Sequence, residues 1–485
     1  MEAAMQAIFF CCAGLDVHLK TVWACIRRLD PQSGKIVVKE IRVFNTTTEG
    51  LRDLADWLEK HGVTHVAMES TGVFWKPVFN VLEERFEVLL CNARHCKNVP
   101  GRKTDQKDCD WLSQLLQLGL LRASFIPPLA MRQLRDLTRF RAELVSDKTR
   151  VANRIHKLLE DANIKLGCVA TDILGVSGRE ILTLLMAGQS DPVELAKCAK
   201  ARMKKKIPEL KKALDGRFNE HHRDMLGTYW EHLTAIENMI EHVDMRIDAQ
   251  MASAALSPST PKSATPESVP MPEPVPMPET TPGDGARKPE KGEISEATGI
   301  DPTAQVSSAA VAKTAEKPPP PMTFVAAQAL LVDMWGIDKV GAQNILAEIG
   351  TNMGQFPSHD HLASWTGICP GNNESAGKRR SGRTNKGNRW LRRALSQAAW
   401  AAARSKQSYF SMQFKRLAAR RGKKRAIVAI AHAMLVTIYH MLKEHTPYLD
   451  LGINHFETLN GEKRKKSYIR RLEAMGYKVT LTQPS

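Results

Sequence analysis

Long uninterrupted apolar runs are missing from this sequence, and none could span a bilayer, which sets a membrane-embedded role aside. The apolar start, Ile8-Phe9-Phe10-Cys11-Cys12, lacks the basic leader of a signal peptide and runs directly into Asp16, His18 and Lys20. It therefore reads as a buried strand. Metal-knuckle spacing is missing too: the nine cysteines are scattered, and no second pair follows Cys91 and Cys96. Reduced, mostly buried thiols in a cytoplasmic protein are the economical reading. Acidic residues are outnumbered, with Asp+Glu 52 against Lys+Arg 69 and a formal net charge of +17. That imbalance predicts a polyanionic partner held largely through phosphates. What is present is globular: 485 residues, 43% hydrophobic, enough for two or three domains with a sizeable core.

The first stretch is strand-like over 8–16, 21–28 and 36–44, rich in β-branched and aromatic residues, with the turn Pro31-Gln32-Ser33-Gly34 between the second and third. Thr46-Thr47-Thr48-Glu49 then caps a helix carrying Leu51, Leu54, Trp57 and Leu58 at helical spacing. A strand over 64–68, a helix with Trp75, Val78, Phe79 and Leu82, and a strand over 86–91 follow, leading to the helix that opens near Asp105. Three meandering strands, then helix, strand, helix, strand, helix, is the order of the α/β ribonuclease-H-like fold, a mixed sheet with helices on both faces.

That order gives four acids a meaning. Asp16 follows Gly14-Leu15, and Glu69 follows Val66-Ala67-Met68, each at the end of an apolar strand where an unpaired carboxylate is costly and ligands collect. Asp105 and Asp108 are three apart, on one face of the starting helix, among Arg102, Lys103 and Lys107. Singly, each acid reads as a turn or cap residue. Together, four carboxylates suit two magnesium ions acting on a phosphate backbone.

Beyond Pro127-Pro128 the chain becomes helical to about Asp161, with Arg132, Arg135, Arg139, Arg141, Lys148, Arg150, Arg154 and Lys157 beside an apolar stripe. A backbone-contacting basic helix is expected, with Arg135 and Arg139 among its phosphate ligands. From 218 to 251, after Met225, the spacing of Leu226, Tyr229, Leu233, Ile236, Ile240, Val243 and Ile247 alternates threes and fours, as in a coiled coil, either within the chain or between copies. Pro, Ser, Thr, Ala and Glu dominate 252–322, a composition that cannot bury enough surface to fold and reads as a tether between two working parts. Residues 330–350 then show helix, glycine-bearing turn and helix, the helix-hairpin-helix pattern whose amides can hold a phosphate. The loop from Gly367 to Arg383 carries Lys378, Arg379, Arg380 and Arg383 with two candidate nucleophiles, Ser375 and Ser381, and no adjacent histidine to activate either. Arg389, Arg392 and Arg393 lie on the helix after it, and a basic tail closes the chain. The expected division is 6–130, 131–251, 252–322, 323–447 and 448–485.

With these stretches in hand, the chain resembles the DEDD transposases of bacterial insertion sequences, which include Piv-type DNA invertases and bridge-RNA-guided recombinases. Gly14-Leu15-Asp16-Val17-His18, Met68-Glu69-Ser70-Thr71-Gly72 and Lys103-Thr104-Asp105-Gln106-Lys107-Asp108 are similar to the RuvC-resolvase-like motifs. Trp335–Gly350 and Gly367–Ala403 are similar to the C-terminal transposase domain. The resemblance implies Asp16, Glu69, Asp105 and Asp108 as the magnesium-binding tetrad, with manganese as a substitute, and Ser375 as the residue joined covalently to DNA. The family's Ser-Gly-Gly-Lys-like loop reads Ser375-Ala376-Gly377-Lys378 here, with alanine for one glycine, and Ser381 is the fallback. It also implies donor and target DNA, a structured guide RNA, a homo-oligomer (dimer or tetramer) that unites acids and serine across subunits, and a cytoplasmic, nucleoid-associated setting in bacteria. A resolvase-type, structure-specific nuclease using metal-activated water and a non-catalytic nucleic-acid-binding scaffold are the alternatives.

Overall fold

The computed structural model describes residues 7–30, 36–70, 72–91, 105–121, 123–253, 322–369, 373–375, 378–381, 383–406, 408–452 and 455–480. They fall into two compact units, Met1–Pro127 and Pro128–Ser485.

The first unit is built on β1 (Cys11–Val17), β2 (Thr21–Leu29), β3 (Ile36–Asn45), α1 (Thr48–Lys60), β4 (His65–Glu69), α2 (Trp75–Leu82), β5 (Glu87–Cys91) and α3 (Asp105–Gln117). The strands form one five-stranded sheet in the order β3-β2-β1-β4-β5. β1, β2 and β3 meander antiparallel, whereas β4 lies parallel to β1 and β5 parallel to β4. This mixed sheet fits a ribonuclease-H-like domain. Strand alternation sorts the side chains. Ala13, Leu15, Val17, Val22, Ala24 and Ile26 face a core completed by Leu51, Leu54 and Leu58 of α1 and Val78 and Leu82 of α2. Cys12 and Ala67 face the other way, onto Leu116 of α3. Thr47 caps α1 by accepting from the Gly50 amide at 3.3 Å, as the threonine run predicts.

The second unit is helical. Its longest elements are α4 (Leu129–Asp161) and α6 (Glu220–Ala252), each 33 residues, separated by a helical insert that includes α5 (Val176–Met186). At about 1.5 Å per residue each long helix runs ~50 Å. They pair antiparallel. His222 Nε2 meets Asp161 Oδ2 at 3.0 Å near one end, Arg141 meets Asp244 at 2.7 Å, and Gln250 donates to the Ala130 carbonyl at 3.3 Å near the other. Leu226, Leu233, Ile236, Val243 and Ile247 of α6 are buried, as are Leu134, Leu144, Val151 and Ile155 of α4. The α6 stripe thus has an intrachain partner.

After residues 254–321 come α7 (Phe324–Val332), α8 (Lys339–Ile349), α9 (His359–Thr366), the hairpin β6 (Asn373–Ser375) and β7 (Lys378–Ser381), α10 (Arg389–Arg404), α11 (Tyr409–Arg421), α12 (Lys423–Glu444) and α13 (His455–Ala474). The Pro-rich composition suggests a tether between two parts, yet the segments flanking it share one unit. Asp248 of α6 accepts from Lys339 Nζ at 2.7 Å and Gln343 Nε2 at 2.8 Å, both on α8. Composition tells that a segment cannot fold, not where its ends return. The 254–321 stretch itself lies outside the described residues.

By length and composition α12 is apolar enough to cross a membrane, which the run interrupted by His432 and His440 does not suggest. It is a core helix of this unit: Ile430, Ala431, Met434, Leu435 and Ile438 are buried.

Candidate active site

Asp16 and Glu69 come together through strand register. β1 and β4 are parallel with Leu15 opposite Met68, so one step on brings Asp16 and Glu69 to the same end of neighbouring strands, about 4.8 Å apart in backbone spacing. Alternation puts Asp16 on the face of Cys12 and Glu69 on the face of Ala67, the side that α3 covers. Asp16 is largely shielded, its side chain 15% exposed, and its Oδ2 lies 3.1 Å from His18 Nε2. Sequence reading named His18 in the motif without giving it this contact.

Helix α3 brings the other two acids. A Cβ on Gly14 would lie 2.2 Å from the Cys109 carbonyl oxygen and 2.4 Å from the Ser113 amide nitrogen, so only glycine lets α3 rest on β1. A second clamp went unassigned in the sequence. Asp110 accepts from Arg27 at 2.9 Å (Nε) and 2.6 Å (Nη2) and pairs with Lys39 Nζ at 2.7 Å, tying α3 to β2 and β3. Burial would raise the Asp110 carboxyl, but the hydrogen bonds and charges of Lys39 and Arg27 hold it below the usual carboxylate range. At about 100° per residue, Asp110 projects roughly opposite to Asp108, so the clamp does not use the face that carries Asp108. Burial, followed by the neighbouring Cys25, pushes the Cys109 thiol up to about 12, and the Asp16 carboxylate adds to the shift. Asp16 is thus within electrostatic reach of the residue beside Asp108.

The donor chemistry of this edge is all carboxylate, which suits a hard divalent cation such as magnesium and not a thiol-seeking metal. Among the described residues no three Asp, Glu, His or Cys side chains close into a metal cage. The Asp105 side chain lies outside them, as do the side chain of Lys107 and all of Arg102 and Lys103.

In the second unit Ser375 is the last residue of β6, paired in register with Lys378, whereas Ser381 pairs with Asn373 at the open end of the same hairpin. The two serines are therefore separated by about 10 Å of strand. The side chains of Ser375, Lys378, Arg379, Arg380 and Ser381 lie outside the described residues.

Residues 13–164 match the family model described as Transposase, of the DEDD type of IS110, and residues 328–415 match the model for Transposase IS116/IS110/IS902 family. The chain belongs to the IS110 family of transposases. No curated protein matches it. The first match spans all four acids of this transposase and also α4, so it crosses the boundary at Pro127 between the compact units. The second spans the serine hairpin and α10.

The basic residues of the transposase do not all face outward. Arg135, expected on a phosphate, is 9% exposed and donates from Nε to the Ala347 carbonyl at 2.9 Å and from Nη2 to the Glu348 carbonyl. Burial lowers its pKa to about 10, opposed by Glu348 and reinforced by Arg139. Arg139 grips Glu348 with two bonds, 2.7 Å and 2.8 Å, and Asn388 Nδ2 donates to the same carboxylate at 2.6 Å. Glu348 is 1% exposed. Asn388 also caps α10, its Oδ1 accepting from the Trp390 and Leu391 amides. These two arginines thus lock α4 to α8 and, through Glu348 and Asn388, to the start of α10. Arg154 and Lys157 on the same helix are exposed. The missed signal is Glu348 itself, an acid between Ile345 and Ile349 on an apolar helix, which is costly to bury unless paired.

Arg383 and Arg389 are exposed. Arg392 donates to the Asn385 carbonyl and the Thr384 hydroxyl, both at 3.2 Å, and Arg393 to the Ala142 carbonyl and the Ser146 hydroxyl, both at 3.3 Å. The glycine turn between α7 and α8 also packs inward: a Cβ on Gly336 would lie 2.4 Å from the Ala398 carbonyl oxygen. Asp338 already accepts from the Gly341 amide at 2.7 Å, setting a carboxylate where a phosphate would bind.

Proposed function

We propose that this transposase cuts and rejoins DNA through a serine–DNA ester, with Asp16, Glu69, Asp105 and Asp108 acting on the scissile phosphate and Ser375 as the nucleophile. The observation that carries the reading is the convergence of Asp16 and Glu69 at adjacent strand ends, with Asp108 drawn to the same sheet face by the close approach at Gly14. The four carboxylates would hold magnesium, two ions by their number, with manganese able to substitute; when bound, it lowers the pKa of coordinated oxygens and steadies a leaving oxygen.

Ser375 Oγ loses its proton and attacks phosphorus, the P–O bond to one deoxyribose breaks, and that oxygen takes up a proton as it leaves. One phosphoester replaces another, so no hydrolysis occurs. Attack by a strand-end hydroxyl on the serine ester reverses the exchange, making a new phosphodiester and freeing Ser375. The hairpin sets Ser375 opposite Lys378, a side chain whose charge suits the nonbridging oxygens. Selection of donor and target by a structured RNA, a partner that the net charge of +17 suits, belongs to the same reading, as does assembly as a homo-oligomer.

The test uses the full-length protein with labelled DNA carrying the ends of the element. Ser375→Ala should abolish the protein–DNA adduct, Ser381→Ala should retain it, and Asp105→Ala/Asp108→Ala should stop strand cleavage in magnesium. An undiminished adduct from Ser375→Ala would sink the serine assignment. Cleavage that persists there without an adduct would favour metal-activated water instead.

A further inference from the structure

The second unit contains a cavity that the serine and carboxylate chemistry leaves unused. Its volume is about 590 Å³, and it lies between α4 and the start of α10, lined by Glu143, Asp147 and Arg150 from one side and Arg389, Trp390 and Arg393 from the other. Trp390 is half-buried, so its indole is anchored while part of it faces the opening. The Arg389 guanidinium lies 4.6 Å from the ring centroid and the Arg139 guanidinium 5.9 Å from it. Arg139 is fixed by its bidentate grip on Glu348, whereas Arg389 is exposed. Arg393 is held at the wall through Ala142 and Ser146.

An anchored indole, a movable guanidinium stacked over it and further cations at the rim are the parts that hold a single nucleotide: a base on the aromatic face and its phosphate on arginine. The acids decide which base. Arg150 is ion-paired with Asp147, but Glu143 is exposed and no hydrogen bond or ion pair joins it to another described residue. A carboxylate at the edge of an arginine-rich cavity repels phosphate and accepts from N–H, so it favours a base carrying an exocyclic amine over thymine or uracil, whose one ring N–H is flanked by two carbonyl oxygens that the carboxylate repels. A duplex cannot use this cavity, because its bases are already stacked and paired.

We infer that the Trp390 cavity captures one unpaired nucleotide with an amino-bearing base, stacked on Trp390 and oriented by Glu143, while Arg150 and Arg389 take the flanking phosphates. The inference rests on nucleic acid being the partner of this transposase, and not on the metal site or on Ser375. Binding in magnesium-free buffer therefore tests it apart from catalysis.

The probes are fluorescein-labelled dC12, dT12 and rC12 single strands and a mixed-sequence duplex, titrated by anisotropy with the full-length chain. Trp390→Ala should weaken dC12 binding about 5- to 150-fold, while duplex affinity stays within about twofold. Trp390→Phe, which keeps a stacking face and fills most of the same space, should retain most of the single-strand affinity and guards against a folding artefact. Wild type should prefer dC12 over dT12 by about fivefold, and Glu143→Ala should erase that ratio even if loss of its negative charge tightens both. Comparing rC12 with dC12 tells an RNA occupant from a DNA one. Equal losses on single strand and duplex, single-strand affinity untouched by Trp390→Ala, or a dC12-to-dT12 ratio indifferent to Glu143 would each overturn the proposal.

Discussion

Replacing Glu348 by alanine should loosen the second unit at the point where three helices meet. The carboxylate is 1% exposed and accepts from Arg139 at 2.7 Å and 2.8 Å and from Asn388 at 2.6 Å. Arg135, itself 9% exposed, lies 3.5 Å away. Removing one partner of a buried ion pair leaves the others charged and desolvated, at a cost of about 3–5 kcal/mol. At roughly 2–4 °C per kcal/mol for domains of 150–250 residues, the melting transition should fall by ~6–20 °C. Because Arg135 lies 6.0 Å from the Trp365 ring and Arg139 5.9 Å from Trp390, the change is readable in tryptophan fluorescence as well as in calorimetry. Glu348→Gln keeps two acceptor positions at most and should cost less than alanine. Arg139→Ala and Glu348→Ala should not add, since they remove the same contact. A Glu348→Ala protein that unfolds within about 1 kcal/mol of wild type, with additive effects of Arg139→Ala, would refute the claim that this cluster holds α4, α8 and α10 together.

Gly14→Ala should destabilise the first unit and displace α3, because the new methyl meets backbone atoms at 2.2 Å and 2.4 Å that no side-chain rotation relieves; a melting temperature equal to wild type would contradict that close approach. Asp110 carries a pH signature. Its folded pKa is depressed, so its contribution is present above the unfolded value of about 3.9 and is lost as pH falls through the lower folded value. Urea titrations between about pH 6 and pH 3 should therefore show wild type losing its advantage over Asp110→Asn on acidification, and a constant gap would show that the Arg27 and Lys39 clamp adds nothing.

The first unit was legible in sequence because its elements are encoded locally. Short apolar runs over 8–16 and 64–68 mark strands, the threonine run with Thr47 marks a helix start, and the order of elements then permits few topologies. The strand-end positions of Asp16 and Glu69 could be read the same way, since an acid after an apolar strand is conspicuous. Asp110 was passed over because its partners, Arg27 and Lys39, lie on β2 and β3 and are distant in sequence. In the second unit the heptad-like spacing of α6 was visible, but its partner was not: a stripe states that a face will be buried, not against what.

Sequence alone determined the charge, the strand and helix periodicities, the placing of four acids on one fold and the kinship with IS110 transposases, all of which are properties of spacing and residue type. Tertiary structure alone decided that Arg135 and Arg139 bind Glu348, that the segments flanking 254–321 belong to one unit, and that Asp110 clamps α3 to β2 and β3. The physical reason is common to all three. Whether a charged side chain is exposed or desolvated depends on which distant helix or strand packs over it. That choice is made by burial and charge complementarity across as many as 213 residues of chain, where no local pattern reaches.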